Sequence, residues 1–174
     1  MNRIIVQHHR TEIGELILGS FQGRLCLLGF GNRDMAQMVT DRIGKRLGAD
    51  VTEQDDALVD ETRRQIDEYL AGRRKTFDIP LLLVGTDFQR SVWNALLQVP
   101  YGATASYLQI ARAIGKEKAV RAVGNACRAN PIGIIVPCHR IIGSDGSLVG
   151  YYGGLSLKRR LLKLERGHTP LFQG

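Results

Sequence analysis

A chain of 174 residues and 19.3 kDa, 44% apolar and 24% charged, can bury a real core in one large domain or two small ones. That balance excludes disordered, collagen-like and fibrous classes, and charges or glycines break every apolar run well short of the roughly 18 residues a membrane helix needs. The net charge of +7 is unevenly placed: residues 1–85 hold 12 Lys/Arg against 13 Asp/Glu, whereas residues 86–174 hold 12 against 4, a net +8 that points to a polyanionic partner. The N-terminus has no apolar core followed by a cleavage site, and Cys26, Cys127 and Cys138 are too few for a disulfide framework. A soluble protein of a reducing, cytoplasmic compartment is expected.

In chain order, short Gly-bounded apolar runs at 3–6, 14–19 and 24–30 predict a small antiparallel sheet. Met35, Met38, Val39, Ile43 and Leu47 predict a helix over 34–48, and Ile66, Tyr69 and Leu70 a second over 60–71, with an acidic connector at 52–60 between them. A last strand is expected at 77–83. Nothing in this half calls for chemistry, so it reads as a scaffold domain, residues 1–83, joined by a linker at about 84–87 to a second domain, 88–174.

The second domain opens with a helix over 88–99, carrying Phe88, Val92, Trp93, Leu96 and Leu97 on one face. Ser106 caps a helix over 107–114, and after the turn at 115–117 a helix over 118–128 runs to Asn130-Pro131. Two short helices across a Gly-containing turn in a basic region outline a helix-turn-helix. In the second of them Val120, Val123 and Cys127 form a core stripe, while Arg121, Asn125 and Arg128 share another face. Ala119, Ala122, Gly124, Ala126 and Ala129 add little bulk. Such a helix suits either a close approach to a narrow DNA groove or close packing within its own protein.

The chemistry concentrates after Asn130-Pro131. A buried-type strand, 132–136, is expected to end at Pro137 and deliver Cys138 and His139, with positive charge from His139 and Arg140 favouring the thiolate. Adjacent strand residues face opposite ways, so the two need a turn or a bridging water between them. Glu165, on a C-terminal helix over 155–166, can fix the tautomer of His139, completing a Cys-His-Glu arrangement for thiol activation. The glycines around Tyr151-Tyr152 can present bare N–H groups to a flat ligand.

The run Pro137-Cys138-His139-Arg140, preceded by Arg121-Ala122-Val123-Gly124 and Asn130-Pro131 and followed by Gly150-Tyr151-Tyr152-Gly153-Gly154, resembles the O6-alkylguanine-DNA alkyltransferase family, the methylated-DNA–protein-cysteine methyltransferases. Phe88 to Trp93, Pro100 to Gly102 and Ser106-Tyr107 also fit, so the resemblance is close over roughly 86–167 and holds in outline before that.

The resemblance implies an α+β protein: a small sheet-and-helix, ribonuclease-H-like N-terminal domain and a helical, winged-helix-like C-terminal domain. It implies a DNA repair enzyme that works once. Cys138 takes the alkyl group from O6-alkylguanine in a flipped-out nucleotide, with O4-alkylthymine a second candidate substrate, and keeps it as a thioether. By the same resemblance His139 draws the thiol proton, Glu165 orients His139, Tyr107 assists the departing guanine and Asn130 ties the turn to the active-site strand. Arg121 fills the gap left by the base, with Tyr107, Gln89, Ala119, Arg128 and Ser144 also on the DNA side. Ile141, Tyr151, Tyr152 and Gly153 form the base pocket, where the carbonyls of Cys138 and Ile141 receive the guanine amino group and an N–H near Tyr152 faces O6. Tyr152 stands where many members carry a small residue, which predicts either a bulkier rim or a side chain turned outward. The implied partner is lesion-bearing double-stranded DNA bound through its minor groove by a monomer, with no membrane and no cofactor. No metal is expected, since only Cys26, His8 and His9 offer soft ligands in the N-terminal half. Two other readings explain parts of the sequence: a lesion sensor of the same fold without chemistry, and a thiol hydrolase using Cys138, His139 and Glu165.

Overall fold

The computed structural model describes residues 2–30, 33–151 and 153–167. By its contacts the chain divides into two compact units: residues up to Gly85 together with Pro131–Gly133, and Thr86–Asn130 together with the residues from Ile134 onward.

The first unit is a four-stranded sheet with two helices. Strands β1 (Arg3–Thr11), β2 (Gly14–Phe21) and β3 (Arg24–Gly29) form an antiparallel meander, and β4 (Asp50–Glu53) adds in parallel to β1, giving the order β3-β2-β1-β4. Helix α1 (Arg33–Leu47) connects β3 to β4, as a parallel pairing requires a crossover. The core gathers Ile4, Val6, Ile17, Phe21, Cys26, Leu27 and Ile43. Gly19 permits the sheet to close there, because a Cβ would come within 3.1 Å of the Leu27 Cβ.

Three expectations for this unit change. The acidic connector contains β4, whose charges sit on an exposed edge strand where little apolar periodicity is needed. Helix α2 (Ala57–Leu70) begins earlier than its apolar residues suggest, because Asp56 caps it by accepting from the Val59 N–H at 3.1 Å. The strand expected at 77–83 shrinks to a single bridge of Leu81 to Leu25, and Pro80, without an N–H, serves only as the acceptor for Leu25. A similar bridge joins Ile132 to Leu28, which is why Pro131–Gly133 belongs to this unit.

The second unit is helical. Helix α3 (Asp87–Leu96) starts at a capping box of Thr86 and Gln89, and α4 (Tyr107–Ala113) at another of Ser106 and Gln109. Helix α5 (Val120–Arg128) packs on both, and α6 (Leu155–Glu165) closes the unit. A short parallel pair, β5 (Ala105–Ser106) with β6 (Ile141–Ile142), joins the start of α4 to the segment after Cys138. The indole of buried Trp93 donates to the Ala126 carbonyl on α5 at 2.8 Å, locking α3 against α5. Among the described residues no helix is long and apolar enough to cross a membrane.

Candidate active site

The site is built where α5, the turn after it and α6 meet. The segment 132–136 makes turns rather than the expected strand, and Ile134 sits at φ 67°, a conformation rare for a β-branched residue. A 3-10 turn, Cys138–Arg140, follows. The turn is what lets Cys138 and His139 serve one site although they are neighbours in the chain. Asn130 pins its start: its side-chain amide donates to the Val136 carbonyl at 2.9 Å and to Cys138 Sγ at 3.3 Å.

Cys138 is buried, and burial pushes its thiol up to about 11, against the pull of the Asn130 hydrogen bond and the Lys158 charge. The expectation of a thiolate favoured by His139 and Arg140 therefore fails for the resting protein: desolvation outweighs the neighbouring charge. Arg140 does not supply that charge to the sulfur. Its Nε and Nη2 donate to Glu165 at 2.7 and 3.0 Å, and its Nη1 to the Val99 carbonyl at 2.7 Å.

Glu165 is the hub. Burial alone would raise its carboxyl, but the bonds and charges of His139 and Arg140 prevail and hold it at about 2. His139, wholly buried, lies 2.7 Å from Glu165 through Nε2, and burial holds the imidazole below its ordinary 6.5. A neutral imidazole facing an ionised carboxylate must put its proton on Nε2. Nδ1 is then the bare acceptor, and among the described residues it has no hydrogen-bond partner. A basic nitrogen left without a partner, on the residue next in the chain to a protonated thiol, is what a general base reached directly or through a water needs.

Lys158 was not singled out from the sequence, because a lysine in the amphipathic pattern of α6 reads as solvated. It is fully buried, and its ammonium donates to the carbonyls of Ile141, Val149 (2.9 Å) and Gly150 (3.4 Å). It thereby ties α6 and the 149–151 loop to β6. Tyr107 also grips that loop, its hydroxyl donating to Val149 at 3.2 Å, and burial pushes its phenol up to about 12. Gly150 takes φ 47°, and a Cβ there would face the Arg128 guanidinium and the Tyr107 hydroxyl. Together Tyr107, Gly124, Cys127, Arg128, Cys138, Gly150 and Tyr151 enclose a cavity of about 10 Å³.

Of the residues named from the sequence, Cys138, His139, Glu165, Asn130, Tyr107 and Tyr151 converge on this centre, and Gly153 follows in the same loop. Tyr152 lies outside the described residues. The carbonyl of Ile141 already accepts from Lys158, and that of Cys138 from the Ile141 N–H, so a ligand amino group would use their second lone pairs. On α5, Arg121, Asn125 and Arg128 are exposed, with Arg128 bonded to Asn125. The core stripe differs from expectation: Val120 is exposed and Ala126 buried with Val123 and Cys127, because the helix begins only at Val120. Ala119 precedes it without a side-chain cap, Ser144 lies in an exposed turn, and Gln89 spends its carbonyl oxygen on the α3 cap.

The two histidines of the first unit are engaged with carboxylates, and Cys26 is buried in the sheet core. His8 meets Glu53 at 3.2 Å and His9 meets Asp67 at 2.7 Å. Among the described residues no three His, Cys, Asp or Glu side chains are grouped to hold a metal ion.

Two family models match the chain in tandem. One, described as the ribonuclease-like domain of 6-O-methylguanine DNA methyltransferase, covers residues 6–83, and the other, described as the DNA-binding domain of the same enzyme, covers 87–167. A methylated-DNA–protein-cysteine methyltransferase of Methanosarcina barkeri is 55% identical over 108 residues, 62% of this chain and 68% of the relative. The constitutive methylated-DNA–protein-cysteine methyltransferase of Bacillus subtilis is 41% identical over 157 residues, 90% of this chain and 92% of the relative. Among solved structures, the O6-methylguanine methyltransferase of Mycobacterium tuberculosis superimposes with a TM-score of 0.78 at 38% identity, covering 99% of each chain. A complex from that organism with DNA gives 0.77 at 39% identity, covering 94% of this chain and 92% of the other.

Proposed function

The chain belongs to the 6-O-methylguanine DNA methyltransferase family, and from that membership and the site we propose that it repairs DNA by moving an alkyl group from guanine O6 to Cys138. The observation that carries the assignment of residues is the buried Cys138 beside a His139 whose Nε2 is committed to Glu165 and whose Nδ1 is bare. In the reaction Nδ1 accepts the thiol proton, directly or through one bridging water, as the sulfur attacks the alkyl carbon in line. The carbon–O6 bond breaks, a carbon–sulfur bond forms, and the Tyr107 hydroxyl, kept protonated by its burial, hydrogen-bonds the departing guanine. The thiolate therefore forms only as it is consumed. A thioether is no leaving group for water, so each molecule acts once.

A cavity of about 10 Å³ takes a small alkyl group, not a purine. The base accordingly approaches over Tyr107 and the 149–151 loop, which requires a nucleotide turned out of the duplex. Extrusion costs a few kcal/mol. The exposed Arg121, on a helix otherwise short in side chains, offsets it by occupying the vacated stack from the minor groove. The net +8 of the second half supplies salt-dependent attraction to phosphates. A monomer suffices for this scheme, and a reducing compartment that holds DNA, the cytoplasm in a prokaryote, is its natural setting because Cys138 must remain a free thiol.

The test is intact mass after mixing with duplex DNA carrying O6-methylguanine. One methyl per chain, mapped to Cys138 and absent from Cys138→Ala, is the expected result. Label persisting on the Ala variant, or a sulfur that regenerates and cycles as in a hydrolase, overturns the assignment. A sensor without chemistry would bind the lesion and gain no mass.

A further inference from the structure

Cys127 has no part in the transfer described above, yet it lines the same small cavity as Cys138. Both thiols are free and buried, one on α5 and the other on the 3-10 turn. Burial, with the charge an ionised Cys138 would carry nearby, pushes the Cys127 thiol well above its ordinary value. Like Cys138 it rests as the thiol, but the described residues that line the cavity offer it no base to take its proton, so it does not compete for the first alkyl group. Once that group is on Cys138, its free end has this cavity to occupy, and Cys127 is part of the lining.

For a methyl group the arrangement is inert. It matters when the transferred group carries its own leaving group. A 2-haloethyl thioether expels halide by attack of its own sulfur, forming a three-membered episulfonium ring reactive enough to alkylate a protonated thiol. Two sulfurs around one cavity are thus a site for an electrophile with two reactive carbons. We propose that Cys127 is a second acceptor, which captures the 2-haloethyl group after its transfer from guanine O6 and closes an ethylene bridge between Cys127 and Cys138.

The steps balance without oxidant or reductant. The carbon–O6 bond breaks as the first carbon–sulfur bond forms, and guanine leaves with the proton lost from Cys138. The carbon–halogen bond then breaks as the ring closes on the Cys138 sulfur. Cys127 attacks a ring carbon, the ring carbon–sulfur bond returns its electron pair to Cys138, and the Cys127 proton leaves to solvent with the halide. The bridge spares the DNA, since the same episulfonium left open would alkylate water or a nearby base.

This rests on transfer to Cys138, and the experiment separates the two ideas. The full chain is reacted with duplex DNA carrying a single O6-(2-chloroethyl)guanine, with O6-methylguanine DNA in parallel, then digested with trypsin. Cleavage after Arg121, Arg128 and Arg140 puts the two cysteines on different peptides, 122–128 and 129–140. The expected main product is these peptides joined through two carbons, free of halogen and stable to dithiothreitol. In Cys127→Ser the yield moves to hydroxyethyl-Cys138 and protein–DNA cross-links. Hydroxyethyl-Cys138 or cross-links as the main product of the native chain, with Cys127 unmodified, overturn the bridge while leaving the transfer intact. Failure of the methyl arm to modify Cys138 overturns the transfer itself. The native chain's peptide map decides the matter even if the variant does not fold.

Discussion

Glu165→Gln is the substitution that asks most of the site. The carboxylate accepts from His139 Nε2 at 2.7 Å and from Arg140 Nε and Nη2 at 2.7 and 3.0 Å, all buried. Glutamine keeps the shape but offers one acceptor oxygen, and its amide turns a donor toward a donor. Arg140 keeps the Val99 carbonyl and the Tyr101 ring, 5.8 Å away, but loses its counter-ion. Breaking a buried pair from one side costs about 3–5 kcal/mol. For a chain of this size that is a drop of roughly 6–20 °C in melting temperature. Urea unfolding at pH 7, followed beside single-turnover methyl transfer, measures both stability and rate, and transfer should slow because a neutral amide no longer stabilises the imidazolium that forms when Nδ1 takes the thiol proton. Adding Arg140→Met to Glu165→Gln should recover part of the stability, since the Arg140 charge is then no longer left buried without its counter-ion. A single-variant loss below about 1 kcal/mol, the range of an exposed pair, would refute the reasoning, as would a double variant less stable than the single.

Other outcomes follow from the same geometry. Asn130→Ala removes the side-chain donor to the Cys138 sulfur and one of two donors to the Val136 carbonyl, which keeps the Cys138 N–H at 2.8 Å; two lost hydrogen bonds should lower stability by about 1–3 kcal/mol and slow methyl transfer, both measurable on the purified variant. His139 is held below 6.5 by burial, so below that pH the unfolded chain takes up a proton that the folded chain refuses, and stability falls; a second loss follows between about 4.5 and 2 as Glu165 protonates. Urea midpoints should thus drop steadily from pH 7 downward, and a flat profile from 7 to 5 would contradict a buried neutral imidazole. With its thiol near 11, Cys138 in the free protein should react slowly with iodoacetamide at pH 7 and faster as pH rises, as peptide mapping can follow. Arg121→Ala should leave reaction with free O6-benzylguanine nearly unchanged while slowing repair in duplex DNA; equal losses on both would sink the base-flipping role.

Much of the protein is legible in its residues because the signals are local. Gly-bounded apolar runs mark β1 to β3, Ser106 marks the start of α4, and the contrast between the halves in charge reflects composition alone. The order Pro137-Cys138-His139-Arg140 with a distant Glu165 names the reactive groups for the same reason: their chemistry belongs to the side chains. What escaped the sequence depends on partners remote in the chain. Strand β4 is specified by its pairing with β1 rather than by its own acidic residues, and segment 132–136 is turned instead of extended. The protonation of Cys138, the bare Nδ1 of His139, the burial of Lys158 and the presence of Cys127 on the cavity wall all follow from which atoms exclude water around them. Desolvation belongs to no single residue, so only the packed tertiary structure could decide these things.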